Sequence, residues 1–268
     1  MARIWLGAPN SIKGPTEAVF QRQSANNLLI VGQSEEAALT ILSIALLTLA
    51  AQYPAGSARF IVFDNTPAGS PPRQFLDRVL QAVPHELIQA RNSNLLEIMG
   101  RLADDLKSHS RDERARETPE TFVLIQGLQD FKKLRLEDDF SFSASHETES
   151  ANPAALLLNL ISEGPSHGFH LIVTCDTYNN VTRFLGRKTL SEFEMRVLFQ
   201  MSASDSASFI DAPDAGTLGL HRALFYNDRE GYLETFRPYA RPSNDWVEEI
   251  ARQLKRPLVG TSSSSSTE

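Results

Sequence analysis

The stretch NNLLIVGQSEEAALTIL, which runs from Asn26 to Leu42, decides the fold class. Its first part, LLIVG, is continuously apolar and ends at Gly32, as is typical of a parallel strand buried on both faces. A long apolar helix is predicted directly after it, and a strand that feeds a helix through a tight turn is half of a βαβ unit. A phosphate-binding loop would lie at such a turn, but it would require glycines and a lysine.

Similar apolar runs recur along the chain, and helix-like segments separate them. The runs are RFIVFD (59–64), TFVLIQG (121–127) and HLIVTCD (170–176), and helices are predicted at 73–81, 94–108 and 154–163. Further strands are predicted at 195–202 and 222–226, with a hairpin partner at 231–236 and a short β lead-in before residue 26. Strands that alternate with helices predict an α/β fold in which helices cover both faces of a mostly parallel sheet.

Composition and charge argue against several classes of protein. The chain has 268 residues, of which 41% are hydrophobic, and its net charge of −7 does not favour a nucleic-acid-binding surface. Its single cysteine, Cys175, excludes an internal disulfide and any multi-cysteine zinc site, which fits a reducing cytosol. The longest apolar stretch, 37–51, is shorter than the ~20 residues needed to cross a bilayer, so we expect a buried helix. The N-terminus lacks the pattern of a signal peptide, and a cytoplasmic location is predicted.

Several local patterns occur in the order and spacing of one known family. They are WLG (5–7), NNLLIVGQS (26–34), GPSHGFHLIVTCD (164–176), FEMRVLFQMSASDSASFID (193–211) and AGTLGLHRALFY (215–226). They resemble motifs of the FtsK/SpoIIIE and HerA type, RecA-like P-loop motor domains that form hexameric rings and pump DNA, with relatives in type VII secretion. The resemblance implies a three-layer RecA-like (P-loop NTPase) sandwich with antiparallel edge strands, in which the β lead-in occupies 1–25 and the motor domain 26–240.

The remaining boundaries follow from composition. Segment 137–153 is acidic and serine-rich, so we expect a flexible loop there. A C-terminal helix is predicted at 241–258, and the serine-rich end at 259–268 is predicted to be a disordered tail.

The loop after the first buried strand departs from the family pattern G-x-x-x-x-G-K-[ST]. Counted from Gly32, the second glycine, the lysine and the hydroxyl residue are replaced by Ala37, Ala38 and Leu39. The groups that neutralise phosphate and bind magnesium are therefore missing from the loop.

Two acidic residues lie where the helix N-terminus would otherwise attract phosphate. Glu35 and Glu36 place negative charge beside the helix dipole, and each like charge near a triphosphate costs on the order of 1 kcal/mol at a partly exposed site. A plainer interpretation is that Ser34 caps the helix and that the acids simply favour its first turn. Both interpretations disfavour ATP.

The pair of acids that hydrolysis needs is also missing. The resemblance implies an aspartate for magnesium and a glutamate for the attacking water after TFVLI, where this chain has Gln126 and Gly127. Asp130 lies one turn further on, which makes it a poor substitute. After the next strand, the threonine and glutamine of the family are replaced by Cys175 and Asp176, which adds another acid.

The carboxyl ends of parallel strands share one rim, so we expect Asp64 to face the same rim as the loop and the two later strand ends. The degenerate nucleotide pocket is therefore predicted to be bordered by Gly32, Gln33, Ser34, Glu35, Glu36, Gln126 and Asp176.

Other candidate sites have less support. His167 and His170 are three residues apart, but no third metal ligand follows at a suitable spacing, and the resemblance places His170 at the start of a strand. The sequence GPSHG (164–168) fits G-x-S-x-G, but it precedes an apolar run and does not follow one, so it does not form the strand-to-helix elbow of a hydrolase triad. Three small basic clusters are interpreted as solvated helix faces in preference to DNA contacts, at 132–135, 183–188 and 252–256.

The sequence therefore leaves two functional hypotheses of different classes, with simple DNA binding as a third. The first is a non-hydrolysing FtsK/HerA-like domain with a structural, regulatory or partner-docking role in a larger DNA- or protein-translocating motor. The second is an ATP-binding DNA translocase subunit whose active site is non-standard or shared with a neighbour. We expect no cofactor under the first, and ATP with magnesium only under the second. The expected partners are other motor domains or subunits of the same assembly, a peptide or protein, and DNA that passes through a ring.

Overall fold

The computed structural model describes residues 1–111, 118–136 and 152–255. The strands are β1 (Ala2–Pro9), β2 (Thr16–Phe20), β3 (Leu28–Val31), β4 (Ala58–Phe63), β5 (Glu86–Ala90), β6 (Glu120–Ile125), β7 (Phe169–Cys175), β8 (Met195–Phe199), β9 (Ala223–Asn227) and β10 (Tyr232–Pro238). The α-helices are α1 (Glu35–Gln52), α2 (Pro71–Ala82), α3 (Leu95–Arg111), α4 (Pro153–Glu163), α5 (Tyr178–Thr189), α6 (Ala203–Ile210) and α7 (Asn244–Leu254). The predicted acidic loop, apart from residues 152 and 153, and the predicted serine-rich tail lie outside the described residues.

All ten strands belong to one sheet, in the order β2-β1-β10-β9-β8-β3-β7-β6-β4-β5. The six strands from β8 to β5 in this order are parallel to one another. The other four are antiparallel to their neighbours, so the lead-in strands β1 and β2 extend the same sheet through β10. The predicted fold, a mostly parallel sheet with antiparallel edge strands, is confirmed.

Helices cover the two faces of the sheet and form two hydrophobic cores. Residues of β3 alternate between the cores, as the two-residue period of a strand requires. Leu28 and Ile30 belong to the core that α1, α2 and α7 cover. Leu29 and Val31 belong to the core that α3, α4, α5 and α6 cover. The continuous apolar run of this strand therefore reflects burial on both faces.

Helix α1 follows β3 and is a core helix. By length and composition it is the one helix among the described residues that could cross a membrane. However, 67% of the helix is buried within the fold, where it packs on the sheet. The predicted buried helix is confirmed.

Three elements were not predicted from the sequence, namely β5, α5 and α6. Strand β5 is half-exposed at the edge of the sheet, so its sequence ELIQA lacks the long apolar run of the central strands. The strand predicted at 195–202 ends at Phe199, because Ser202 accepts a hydrogen bond from the backbone N–H of Asp205 (3.0 Å) and caps α6. The other predicted elements are present among the described residues with small shifts at their ends, and residues 256–258 of the predicted C-terminal helix lie outside the described residues.

Candidate functional site

The carboxyl ends of four parallel strands lie side by side on one rim. The backbone N–H of Gly32, after β3, donates to the carbonyl of Cys175 in β7 (3.0 Å). The backbone N–H of Gln126, after β6, donates to the carbonyl of Phe63 in β4 (2.8 Å). The backbone N–H of Gly127 donates to the hydroxyl of Thr174 (2.8 Å). The sequence-predicted residues at these strand ends are thus neighbours in space.

Gly32 is needed for packing, whether or not a phosphate binds. A Cβ atom at this position would lie 2.5 Å from the Cβ of Phe199 in β8. Every larger residue would therefore force β3 and β8 apart. The glycine that suggested a phosphate loop in the sequence has a separate structural reason.

Ser34 occupies the N-cap position of α1, but the capping predicted for its side chain is wrong. The hydroxyl makes no capping hydrogen bond, and only the backbone carbonyl of Ser34 accepts from the N–H of Ala38 (2.9 Å). The backbone of Ser34 has φ −83° and ψ 81°, which differs from the extended conformation of a typical capping residue. The loop is therefore held by its backbone and by Gly32, not by a serine cap.

The positions of the missing lysine and hydroxyl residue are filled by core side chains. Ala38 and Leu39 are only 6% and 5% exposed and belong to the same core as the apolar face of α1. Ala37 is partly buried and packs against this core. The first turn of α1 therefore presents no cationic or hydroxyl side chain at these positions.

Four carboxylates lie near the loop after β3, on the side of β4, β6 and β7. We call them the acidic rim: Glu35, Asp64, Asp130 and Asp176. Burial raises the pKa of Asp130 above its ordinary value, and the negative charges of Glu35, Asp176 and Asp64 raise this pKa further. Asp130 is thus close enough to the other three carboxylates to be repelled by each of them. An added anion would meet the same repulsion.

Asp64 is buried in the acidic rim, and Arg73 of α2 neutralises it. The Arg73 guanidinium forms an ion pair with the Asp64 carboxylate, and both side chains are buried. Arg73 also donates to the side-chain oxygen of Gln89 (2.9 Å) and pairs with Asp77 (2.6 Å). Thr66 donates its backbone N–H to Asp64 (3.1 Å). Asp64 therefore has its own counter-ion within the protein.

Cys175 ends β7 and Asp176 follows it, and the carboxylate of Asp176 accepts hydrogen bonds from neighbouring residues. Asp176 accepts hydrogen bonds from the side chains of Asn180 (2.7 Å) and Thr177 (3.2 Å) at the start of α5. Cys175 is buried, and this burial raises the pKa of its thiol to about 12. Its sulfur is therefore protonated at neutral pH and is not a nucleophile. Both side chains have structural roles at this strand end.

Gln126 and Gly127 occupy the place of the hydrolytic acid pair. The side-chain oxygen of Gln126 is buried and has no hydrogen-bond donor among the described residues. Gly127 has a φ of +67° and begins the 3₁₀ turn Leu128–Asp130. This turn places Asp130 in the acidic rim. Because the pKa of Asp130 is raised, its carboxyl group ionises less readily than that of an ordinary aspartate.

A pocket of about 770 Å³ lies on the opposite side of the loop. Gln33, Ser34 and Glu36 form one wall, and the ends of the hairpin β9–β10 form the other. The charged residues of the second wall are arginines, and we call this space the basic pocket, defined by Arg222, Arg237 and Arg241. Glu36 lies 3.8 Å from the Arg241 guanidinium. Glu35 therefore lies near other carboxylates, whereas the adjacent Glu36 lies near an arginine.

Sequence reasoning missed the basic pocket, because its arginines lie outside the three basic clusters of the sequence. The hairpin brings two of them together: Ala223 pairs with Phe236, so the next residues outward, Arg222 and Arg237, are neighbours. This pair could have been predicted from the sequence if the register of the predicted hairpin had been assigned correctly.

The two histidines considered as metal ligands do not form a metal site. His170 is buried at the start of β7, where its Nδ1 lies 3.0 Å from the carbonyl oxygen of Asn26 and its Nε2 3.6 Å from Glu120. Burial would raise the pKa of Glu120, but hydrogen bonds from His170 and Arg22 outweigh it and lower this pKa. No group of three metal-ligating side chains occurs among the described residues. His170 thus helps to hold the amino ends of the strands together, far from the rim.

The sheet order, the helix after β3 and the shared rim define a RecA-like P-loop NTPase fold. Solved structures with this fold include the cytoplasmic domain of the type VII secretion ATPase EccC of Thermomonospora curvata, with a TM-score of 0.66 and 18% identity over 94% of this chain and 31% of that chain. The pCW3 conjugation coupling protein TcpA, in a monomer form with ATPγS, has a TM-score of 0.67 and 13% identity over 95% of this chain and 71% of that one.

A third similar structure is that of EccC ATPases 2 and 3 of Thermomonospora curvata in complex with a signal sequence peptide. Its TM-score is 0.62, with 17% identity over 90% of this chain and 41% of that chain. No protein-family model and no curated protein matches the sequence. At these identities the likeness shows the fold, and this chain spans about a third of the EccC cytoplasmic domain.

Proposed function

We propose that this chain is a non-hydrolysing domain of an FtsK/HerA-type motor, with a structural, regulatory or partner-docking role in a larger assembly. The observation that carries the proposal is the burial of Ala38 and Leu39 in the core, where an active motor has a lysine and a hydroxyl group. Without the lysine, no side chain of this turn neutralises the β- and γ-phosphates. The chain keeps the strand, the turn glycine and the following helix, but the turn lacks the charged groups of a phosphate loop.

The acidic rim supports the same proposal. Magnesium–ATP is still an anion, and a triphosphate held by the loop after β3 would lie near Asp130, which the charges of Glu35, Asp64 and Asp176 already repel. A negative rim therefore opposes nucleotide binding independently of the missing lysine.

The turn after β6 supports the loss of hydrolysis. A glutamate at position 127 would be strained because Gly127 has a φ of +67°. Its Cβ atom would also lie 2.7 Å from a carboxylate oxygen of Asp130. A glutamate restored here would therefore need a left-handed backbone and a shift of the Asp130 carboxylate.

The place of this chain in a larger assembly is supported by its relatives in structure. The chain spans 31% of the EccC cytoplasmic domain, and another EccC structure contains two ATPase domains and a bound signal sequence peptide. We infer that the domain acts in the cytoplasm beside other motor domains or subunits, and that a peptide or protein docks on it. The alternative, an ATP-binding DNA translocase subunit with a shared site, requires a neighbouring subunit to supply the missing groups.

Phosphate release from magnesium–ATP tests the proposal. The unmodified chain and its Ala38→Lys variant are each assayed at low and at high protein concentration, so that a site shared between copies has the chance to assemble. We expect no turnover above the protein-free blank in either protein, because the lysine alone does not supply the base. A motor with an intact loop serves as the positive control, and circular dichroism checks the fold of the variant.

Magnesium-dependent turnover by the unmodified chain would overturn the proposal. If that turnover were also lost in Ser34→Ala or Gln33→Ala, the degenerate loop would be the nucleotide site. The ATP-binding translocase subunit would then be the better description.

A further inference from the structure

The basic pocket contains more positive charge than the protein neutralises. Its three arginines face one carboxylate, Glu36, in a chain whose net charge is −7. Glu36 approaches only Arg241, at 3.8 Å, and its side chain is 72% exposed. Among the described residues, no carboxylate pairs with Arg222 or Arg237. A concentration of unpaired arginines in an acidic protein needs a separate explanation.

The register of the hairpin β9–β10 makes Arg222 and Arg237 neighbours, and their like charges repel each other as long as no anion is bound. Arg222 immediately precedes β9 and Arg237 lies in β10, each next to the pair Ala223–Phe236, and like charges opposite one another on neighbouring strands destabilise a sheet. Arg222 donates a hydrogen bond to the neutral side chain of Asn10 (3.1 Å), which does not offset its charge. An anion bound between the two arginines would remove this repulsion.

Apolar side chains also border the basic pocket, and they limit the kind of anion that fits. Leu220 is 86% exposed and Tyr239 is partly exposed, and both border the pocket with Phe199 and Pro238. The turn that carries Leu220 is tight, since Gly219 and His221 have φ values of +75° and +62°. The pocket therefore offers exposed arginines beside apolar side chains. Guanidinium groups bind carboxylates through two parallel hydrogen bonds, and apolar side chains bind through burial.

We propose that the basic pocket docks an acidic peptide segment of a partner protein. Its carboxylates pair with Arg222, Arg237 and Arg241, and an apolar side chain of the peptide covers Leu220. The proposal rests on the partner-docking role proposed above and names the chemistry of the partner. Nucleic acid fits less well, because it would need an extended basic track and not one concave pocket in an acidic protein.

Glu36 makes the proposal specific. Its carboxylate competes with the peptide for Arg241, whereas the adjacent Glu35 belongs to the acidic rim and does not line the pocket. Removal of the Glu36 charge should therefore strengthen binding, and the same change at Glu35 should not.

Fluorescence anisotropy tests the proposal with a labelled short peptide of alternating glutamate and leucine. A peptide with glutamine in place of glutamate is the probe control. We expect the acidic peptide to bind, the control peptide not to bind, and affinity to fall as salt increases. Arg237→Gln should weaken binding roughly tenfold, because a charge-assisted pair is lost. Glu36→Gln should tighten it about two- to threefold, and Glu35→Gln should leave it unchanged.

Several results would overturn the proposal. These are absence of binding by the acidic peptide at low salt, equal affinity of the Arg237→Gln variant, or tighter binding by a single-stranded oligonucleotide that displaces the peptide. Thermal denaturation of each variant shows that a lost affinity is not a lost fold. If the acidic peptide does not bind, the proposed absence of ATP turnover still stands. If magnesium–ATP displaces the peptide and is hydrolysed, the non-hydrolysing function itself is refuted.

Discussion

The two sides of the loop after β3 differ in charge and in how that charge is satisfied. On one side, Asp64 has Arg73 as its counter-ion and Asp176 accepts two side-chain hydrogen bonds. On the other side, Arg222 and Arg237 have no carboxylate partner among the described residues. The acidic rim is thus largely stabilised from within the protein, whereas the basic pocket is not.

The acidic rim and the basic pocket meet between two adjacent residues, Glu35 and Glu36. Successive positions of a helix differ by roughly 100° in direction, so neighbours in the first turn of α1 can face different surroundings. Glu35 contributes to the acidic rim, and Glu36 approaches Arg241. The comparison teaches that a lost phosphate loop need not leave an inert surface: one side excludes anions and the other attracts them.

The largest expected effect comes from breaking the internal counter-ion of the acidic rim. Arg73→Met should lower the free energy of unfolding by about 3–5 kcal/mol, because it leaves the buried Asp64 carboxylate without its partner. Urea denaturation measures the change. As a control, Arg101→Met removes an exposed ion pair with Glu97 and should cost less than about 1 kcal/mol. Equal effects of the two variants would mean that the acidic rim does not depend on Arg73.

The next effect concerns the glycine that separates the two sides. Gly32→Ala should destabilise the protein by about 1–3 kcal/mol, because the added methyl group would overlap Phe199. Gly100→Ala is the matched control, since its Cβ would meet no atom within 4 Å in helix α3, and it should stabilise by about 0.5–1 kcal/mol. Thermal unfolding distinguishes the two, and a Gly32→Ala variant as stable as the unmodified chain would contradict the packing reason for this glycine.

A smaller effect is expected from relieving the repulsion in the basic pocket. Arg237→Gln should stabilise the peptide-free protein by about 0.2–1 kcal/mol at low salt, because it removes one of two like charges across the hairpin. Arg237→Lys keeps the charge and should leave stability unchanged. Urea titrations at low and high salt measure the difference, which salt should diminish. A loss of stability in Arg237→Gln alone would show that its charge is already compensated.

The smallest effect is pH-dependent and lies in the acidic rim. The pKa of Asp130 is raised in the folded protein, so the folded state holds this proton more tightly than the unfolded state. The ionised side chain therefore destabilises the fold at neutral pH, and Asp130→Asn should raise the melting temperature there. This gain should shrink as pH falls through the raised pKa, and vanish below the ordinary aspartate range, where both states are protonated. Asp104→Asn, on the exposed face of α3, is the control; a gain for Asp130→Asn that persists in acid would contradict the repulsion.

The rim was predictable because it depends on strand order along the chain. Gly32, Gln126 and Asp176 each follow an apolar run, and parallel strands end on one side of their sheet. The edge strand β5 was not predicted, because it is only half-buried and its five residues give a weak pattern. The absent side-chain cap at Ser34 was not predictable either, because it depends on the backbone angles at one residue.

The basic pocket required tertiary information. Arg222 and Arg237 become neighbours only through the register of β9 and β10, and Arg241 joins them through the path of the chain after β10. The opposite orientation of Glu35 and Glu36 likewise depends on the helical phase at which α1 begins. Sequence patterns located the loop, but not the charges on each side of it.

Calorimetric titration of the unmodified chain with magnesium–ATP tests the central claim most directly. The acidic rim and the buried Ala38 predict that millimolar nucleotide gives no magnesium-dependent heat of binding, and that any magnesium-independent heat from the arginines of the basic pocket is lost in the Arg237→Gln variant. Saturable one-to-one binding that depends on magnesium would contradict the claim, because it would mean that the loop after β3 still holds a triphosphate.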